Sequence, residues 1–161
     1  MMNKEKFEWV TGSGIPILFE EIISLIGDHT GDSGRIFIGT DSFIKKQDCI
    51  FSTAICLYGA DSQTGGRYFI KRNKFKKNEY YTLLQRIMAE VQKSVEIGLQ
   101  LLEIIPILDI EIHLDISEAN KGNSTSKFTD MLTGYTKGAG FEYKIKPDAF
   151  AAMSVADKHS K

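Results

Sequence analysis

The sequence predicts an α/β domain built on a mixed five-stranded sheet, and three observations lead to that fold class. Residues 36–38 and 49–58 are short apolar runs of the kind that form buried strands. Residues 79–102 carry apolar side chains at helical spacing. Residues 107–116 alternate, with Ile110, Ile112 and Leu114 on one face and Asp109, Glu111, His113 and Asp115 on the other. Three strands in close succession, followed by alternating helices and strands, give the order 3-2-1-4-5 with strand 2 antiparallel. Helices flank this sheet, and one extra helix precedes it.

Composition sets the outer bounds. With 161 residues, 42% of them hydrophobic and 25% charged, the chain fits one domain over 1–161, of which 1–34 is a helix-and-loop leader. Twenty basic against 21 acidic residues leave a net charge of -1, so any polyanion must be met by a local patch rather than a global field. Cys49 and Cys56, seven apart in one strand, fall on opposite faces and cannot bridge, which points to a reducing, cytoplasmic setting. The amino terminus lacks the apolar core of a signal peptide, and polar residues interrupt the greasiest stretch, 99–114. No membrane segment is expected.

Taken in order, Pro16, the early acids Glu20 and Glu21, and Gly27 after the last apolar residue mark a leading helix, with a loop over 28–34. The first strand, 35–41, ends in Gly39, Thr40 and Asp41. A carboxylate at a strand tip is costly to desolvate unless a cation or hydrogen bonds compensate it, so Asp41 reads as the first ligand of a metal site. Strands over 49–58 and 67–72 complete a meander. The loop after them, 71–77, holds five cations (Lys71, Arg72, Lys74, Lys76, Lys77) around Phe75. It reads either as solvated surface or as a phosphate-gripping patch, with Tyr68, Phe75, Tyr80 and Tyr81 available to stack on bases.

Asn78 can cap the long helix, in which Glu90 and Ser94 fall on the edge of the apolar stripe. An ionisable group there is a functional candidate; the bland alternative turns Glu90 outward to Arg86 or Lys93. Asp115 ends the fourth strand as Asp41 ends the first. A polar loop over 117–124 follows, then a helix capped at Ser124 or Ser126 and running to about residue 137, a fifth strand over 141–146, and a last helix over 149–159. On that last helix Asp157 shares a face with Phe150 and points inward. The carboxyl ends of the first and fourth strands adjoin, which is where open α/β sheets bind ligands.

The residues Gly39-Thr40-Asp41-Ser42, Glu90, His113-Leu114-Asp115, and 146–149 running on to Asp157, taken in this order, resemble the ribonuclease H-like superfamily. Within it the chain is most similar to the bacterial YkuK-type group of predicted nucleases. The resemblance covers about 35–161 and implies an Asp-Glu-Asp-Asp site of Asp41, Glu90, Asp115 and Asp157, two divalent ions, and phosphodiester hydrolysis. The basic protrusion of hybrid-cleaving ribonucleases H is absent here, which puts an RNA:DNA hybrid substrate in doubt. Hard oxygen ligands select Mg²⁺ or Mn²⁺, and two such ions about 3.5–4 Å apart can hold the attacking water and the leaving oxygen. On this reading Asp41 bridges both ions, Asp115 and Glu90 hold one, and Asp157 holds the other. Ser42, Ser117 and Asn120 would position the phosphate or ribose, and Lys146 would either reach in from the end of strand five or simply sit on the surface. The partner is nucleic acid, whether RNA, DNA or hybrid, and the oligomeric state is open, a homodimer included. An actin-like or sugar-kinase-like phosphotransferase needs two such domains, which 161 residues do not supply. The remaining alternative is a non-catalytic nucleic-acid or protein-binding module on the same fold.

Overall fold

A computed structural model describes residues 7–31, 34–59, 67–118, 122 and 125–156. The first described element is a hairpin, and the expected leading helix follows it. β1 (Trp9–Thr11) pairs antiparallel with β2 (Pro16–Ile17), and α1 runs over Phe19–Gly31. The Thr11–Ile15 turn explains the difference. Thr11 N–H donates to the Ile15 carbonyl at 2.8 Å, the Thr11 hydroxyl accepts from Ile15 N–H at 3.1 Å, and Gly14 takes a φ of 85° that favours glycine. Pro16 therefore lies in an edge strand, where its missing N–H costs no ladder bond.

β3 (Arg35–Lys45), β4 (Asp48–Tyr58) and β5 (Arg67–Lys76) form the meander. β3 and β4 pair over their whole length, from Arg35 opposite Tyr58 to Lys45 opposite Asp48, and β5 follows β4 from Arg67 to Lys76. The five expected strands are present in the expected order, with the second antiparallel. Among the described residues the sheet nonetheless has seven strands, β2-β1-β5-β4-β3-β6-β7, because the leading hairpin adds to the β5 edge. β3 and β5 also run four residues further than the sequence marks them, to Lys45 and Lys76, whereas β4 gains only Asp48. Asp41 accordingly lies inside a strand rather than at its tip, and most of the basic segment 71–77 is strand rather than loop. Charged residues look like loop in a sequence, but here the ladder is closed by backbone pairing while their side chains stay in solvent.

A single 3₁₀ turn, Lys77–Glu79, precedes α2 (Leu83–Ile104). The helix starts at Thr82 and not Asn78, since Thr82 and Gln85 form a reciprocal capping box. β6 (Ile110–His113) lies parallel to β3 and β7 (Glu142–Lys144) parallel to β6; α3 (Thr129–Gly138), entered through a 3₁₀ turn at Ser126–Phe128, connects them. Both strands are shorter than the alternation suggests. Beyond them the chains stay joined by single bonds, Leu114 N–H to the Lys144 carbonyl and Lys146 N–H to the Ile116 carbonyl, both 2.9 Å. The last described element is a π-helical segment, Ala151–Ala156.

The main core lies on one face of the sheet, where Ile36, Ile38, Ile55, Leu57, Phe69 and Ile112 meet Ile22 and Ile26 of α1 and Val91, Val95 and Leu101 of α2. Trp9 belongs to this core. On the other face Phe37, Ala54, Cys56 and Ile70 pack under Ala151 and Ala156 of the π segment. Cys49 and Cys56 are buried, unbridged and on opposite faces; burial pushes the Cys56 thiol up to about 12. Among the described residues no helix is long and apolar enough to cross a membrane.

Candidate active site

The site forms where the parallel pairing stops. The last β3–β6 pair is Gly39 with His113. Asp41 and Asp115 each stand two residues beyond that pair, so the two residues lie at the same level just past the end of the parallel ladder. From Thr40 onward β3 has no strand on its β6 side among the described residues, and α2 packs on it there through Ser94 and Glu90.

Strand alternation sends Thr40 and Ser42 toward α2 and leaves Asp41 on the face of Phe37. Three α2 positions, one turn apart, meet the strand. Ser94 Oγ lies 2.7 Å from Thr40 Oγ1, which is in turn 3.1 Å from Thr53 Oγ1. Ser42 donates to Glu90 Oε1 at 3.3 Å, and Arg86 Nε donates to Ser42 Oγ at 3.3 Å. The hydroxyl chain fixes the register of α2 on β3, and that register aims Glu90 at the strand rather than at Lys93. Lys93 instead covers the rings of Phe51 and Phe75, at 5.0 and 4.5 Å.

Glu90 is held well above the usual carboxylate range, first by desolvation and then by the charges of Asp41 and Asp115, against the opposing pull of Arg86 and the Ser42 hydrogen bond. Glu90 on α2 thus senses two acids from neighbouring strands, Asp41 in β3 and Asp115 just past β6. Glu90 and Asp115 line a recess of about 10 Å³, room for one water, together with Thr40, Ile87, Val91, His113, Leu114 and Ile116. Lys146 pairs with Asp115, its Nζ 3.1 Å from Oδ1. Among the described residues, no three acidic, histidine or cysteine side chains are already gathered closely enough to close on one ion. Asp157 and Asn120 lie outside the described residues.

Ser117 is buried; its carbonyl accepts from the Thr129 hydroxyl, and its N–H donates to Thr125 Oγ1 at 3.2 Å, so its backbone ties the loop to α3. The basic segment divides between two faces. Lys71 turns toward α1 and α2, 3.6 Å from Glu8 Oε2 and 5.9 Å from the Trp9 ring centre. Arg72, Lys74 and Lys76 are exposed on the Asp41 face, where Asp41, Ser52 and Arg72 form one cross-strand row. Lys74 lies 3.8 Å from Asp48, and Lys77 falls in the 3₁₀ turn. Ser52 Oγ, in the middle of that row, is buried and has no hydrogen-bond partner among the described residues. Of the four aromatics suited to stacking, Phe75 and Tyr80 are spent on an edge-to-face cluster with Phe51, and Tyr68 lies against Gly12. Tyr81 is exposed.

Two participants are harder to find by sequence. Arg86 is legible only as a possible partner of Glu90, although the spacing of residues 86, 90 and 94 is the signal that all three face one strand. Glu111 is one of several acids on an alternating strand. It takes Arg35 at 3.4 Å and His113 at 3.0 Å.

A sheet of this order, with acids where its two central strands part, defines a ribonuclease H-like protein, and the Ribonuclease H-like family model matches residues 17–161. The chain belongs to that family. It is also 29% identical over 160 residues, 89% of each chain, to the uncharacterized protein YkuK of Bacillus subtilis (strain 168).

Proposed function

We propose that this protein is a divalent-metal-dependent nuclease that hydrolyses phosphodiester bonds of RNA or DNA. The observation that carries the reading is the raised proton affinity of Glu90, which comes first from its burial and then from the charges of Asp41 and Asp115. Such mutual repulsion is a standing demand for positive charge. An all-oxygen, multiply anionic donor set suits Mg²⁺ or Mn²⁺ better than zinc, and two ions are proposed, with Asp157 as the fourth acid. When bound, the ions would polarise the phosphodiester and make water a better nucleophile.

The chain's own groups orient the rest. Arg86 and Ser42 hold the Glu90 carboxylate against β3, and Thr40 keeps the strand and helix in step. Arg72, Lys74 and Lys76, on the face of Asp41, supply cations for a phosphate backbone, with Lys77 beside them; Lys71, turned away, is the weakest member of the group. Lys146, close to Asp115, is placed to meet either that acid or a phosphate.

One observation favours a second reading, a nucleic-acid-binding module without turnover: the Lys146 ammonium neutralises Asp115 with no ion needed. Labelled single-stranded, duplex, hybrid and branched substrates, incubated with Mn²⁺, with Mg²⁺ or with chelator, separate the two. The nuclease reading expects metal-dependent cleavage of at least one substrate, lost in Asp41→Asn. Binding in Mn²⁺ without cleavage of any of them refutes it in favour of the module.

A further inference from the structure

The buried imidazole of His113 is not used by the site chemistry above, yet it bonds on both sides. The ring is 2% exposed and lies between Phe37, at 4.9 Å between centroids, and Phe150, at 4.8 Å and nearly perpendicular. Ala151 N–H donates to Nδ1 at 3.1 Å. Nδ1 must therefore be the unprotonated nitrogen, and the ring proton sits on Nε2, which donates to Glu111 Oε1 at 3.0 Å. Arg35 holds the other Glu111 oxygen at 3.4 Å. Ala151 opens the π segment, and an N–H at a helix start has no partner within its own helix. Buried as Ala151 is, that N–H needs an acceptor from elsewhere, and the ring supplies one from the strand that runs into Asp115.

We propose that His113 is a positioning residue: its Nδ1 seats the first turn of the π segment on β6, coupling the strand that leads to Asp115 with the segment that leads in sequence to Asp157. The relay Arg35–Glu111–His113–Ala151 would thus hold the strand that leads to Asp115 against the π segment while touching no substrate. This inference rests on the nuclease reading for its consequence but not for its geometry.

Two variants separate the two ring nitrogens. In His113→Asn the side-chain oxygen replaces Nδ1 and can still accept from Ala151. In His113→Gln the amide reaches instead toward the Nε2 position and Glu111. Both lose the ring packing, so each is the other's control for stability. Backbone amide exchange of the full chain, followed by NMR, should be about tenfold faster at Ala151 in His113→Gln than in His113→Asn. Equal exchange in the two variants overturns the proposal, whether or not any nucleic acid is cut. If the wild type cleaves, turnover should fall at least several-fold in His113→Gln and recover in His113→Asn; equal turnover in the two also overturns it. A wild type that cuts nothing refutes the nuclease reading, and the exchange comparison then decides the seat alone.

Discussion

Thr40 is the place to test how the helix carrying Glu90 is held. Its hydroxyl is the centre of a buried chain, 2.7 Å from Ser94 Oγ and 3.1 Å from Thr53 Oγ1, at a residue 3% exposed. Thr40→Val keeps the shape and removes both bonds. Each bond contributes about 1 kcal/mol net, and the stranded buried hydroxyls raise the total to about 2–4 kcal/mol. Thr40→Ser keeps both bonds and removes one buried methyl, about 1 kcal/mol. The valine variant should therefore be the less stable of the two, with a Tm roughly 5–15 °C below wild type. Urea titration in chelator reads this directly: Trp9, the only tryptophan and 2% exposed, reports the core by fluorescence, and far-UV circular dichroism reports the helices. A valine variant as stable as wild type, or more stable than the serine variant, would refute the hydroxyl chain as the device that registers α2 on β3.

Three further outcomes follow from the same geometry. Glu90 has a folded-state proton affinity raised above its ordinary value of 4.5, so its support for the fold is complete below that pH and is lost as pH climbs through the raised value. In chelator, Glu90→Gln should remove this loss and be the more stable protein at neutral pH; greater wild-type stability there would show that the acids do not strain the metal-free site. Replacing Arg72, Lys74 and Lys76 together by Ala should weaken nucleic-acid binding and lower the salt slope by about 2–3, while Lys71→Ala changes it little. Equal slopes for the two variants would return the Asp41 face to ordinary surface. Gly98→Ala, favourable by helix propensity, should instead destabilise, since a Cβ there would come within 2.7 Å of the buried Phe141 ring; a raised urea midpoint would count against that packing.

The parts of the fold that were legible are those where side-chain chemistry and backbone pairing agree. Ile36 to Ile38 and the alternation from Ile110 to Leu114 announce strands because burial alone accounts for their composition. The extensions of β3 and β5 past residues 41 and 72 were not legible, because Lys74 and Lys76 face solvent and carry no burial signal for the ladder that holds them. Sequence alone misplaces the start of α2, because a lone Asn78 competes with a capping box that becomes decisive only when both halves close. Likewise, Pro16 reads as a helix start until the turn from Thr11 to Ile15 folds it back onto β1.

Local chemistry in the chain determines the class of architecture, the apolar strands and stripes that build it, and which acids are candidates for the site. Tertiary structure alone decides that Asp41 and Glu90 approach from opposite sides of β3, that Lys146 lies on Asp115, and that the cations at 71 and 72 part to different faces. The reason is physical. Periodicity within a segment follows from neighbours along the chain, but the level at which β6 ends beside β3, and the register of α2 across it, depend on hydrogen bonds between residues dozens of positions apart.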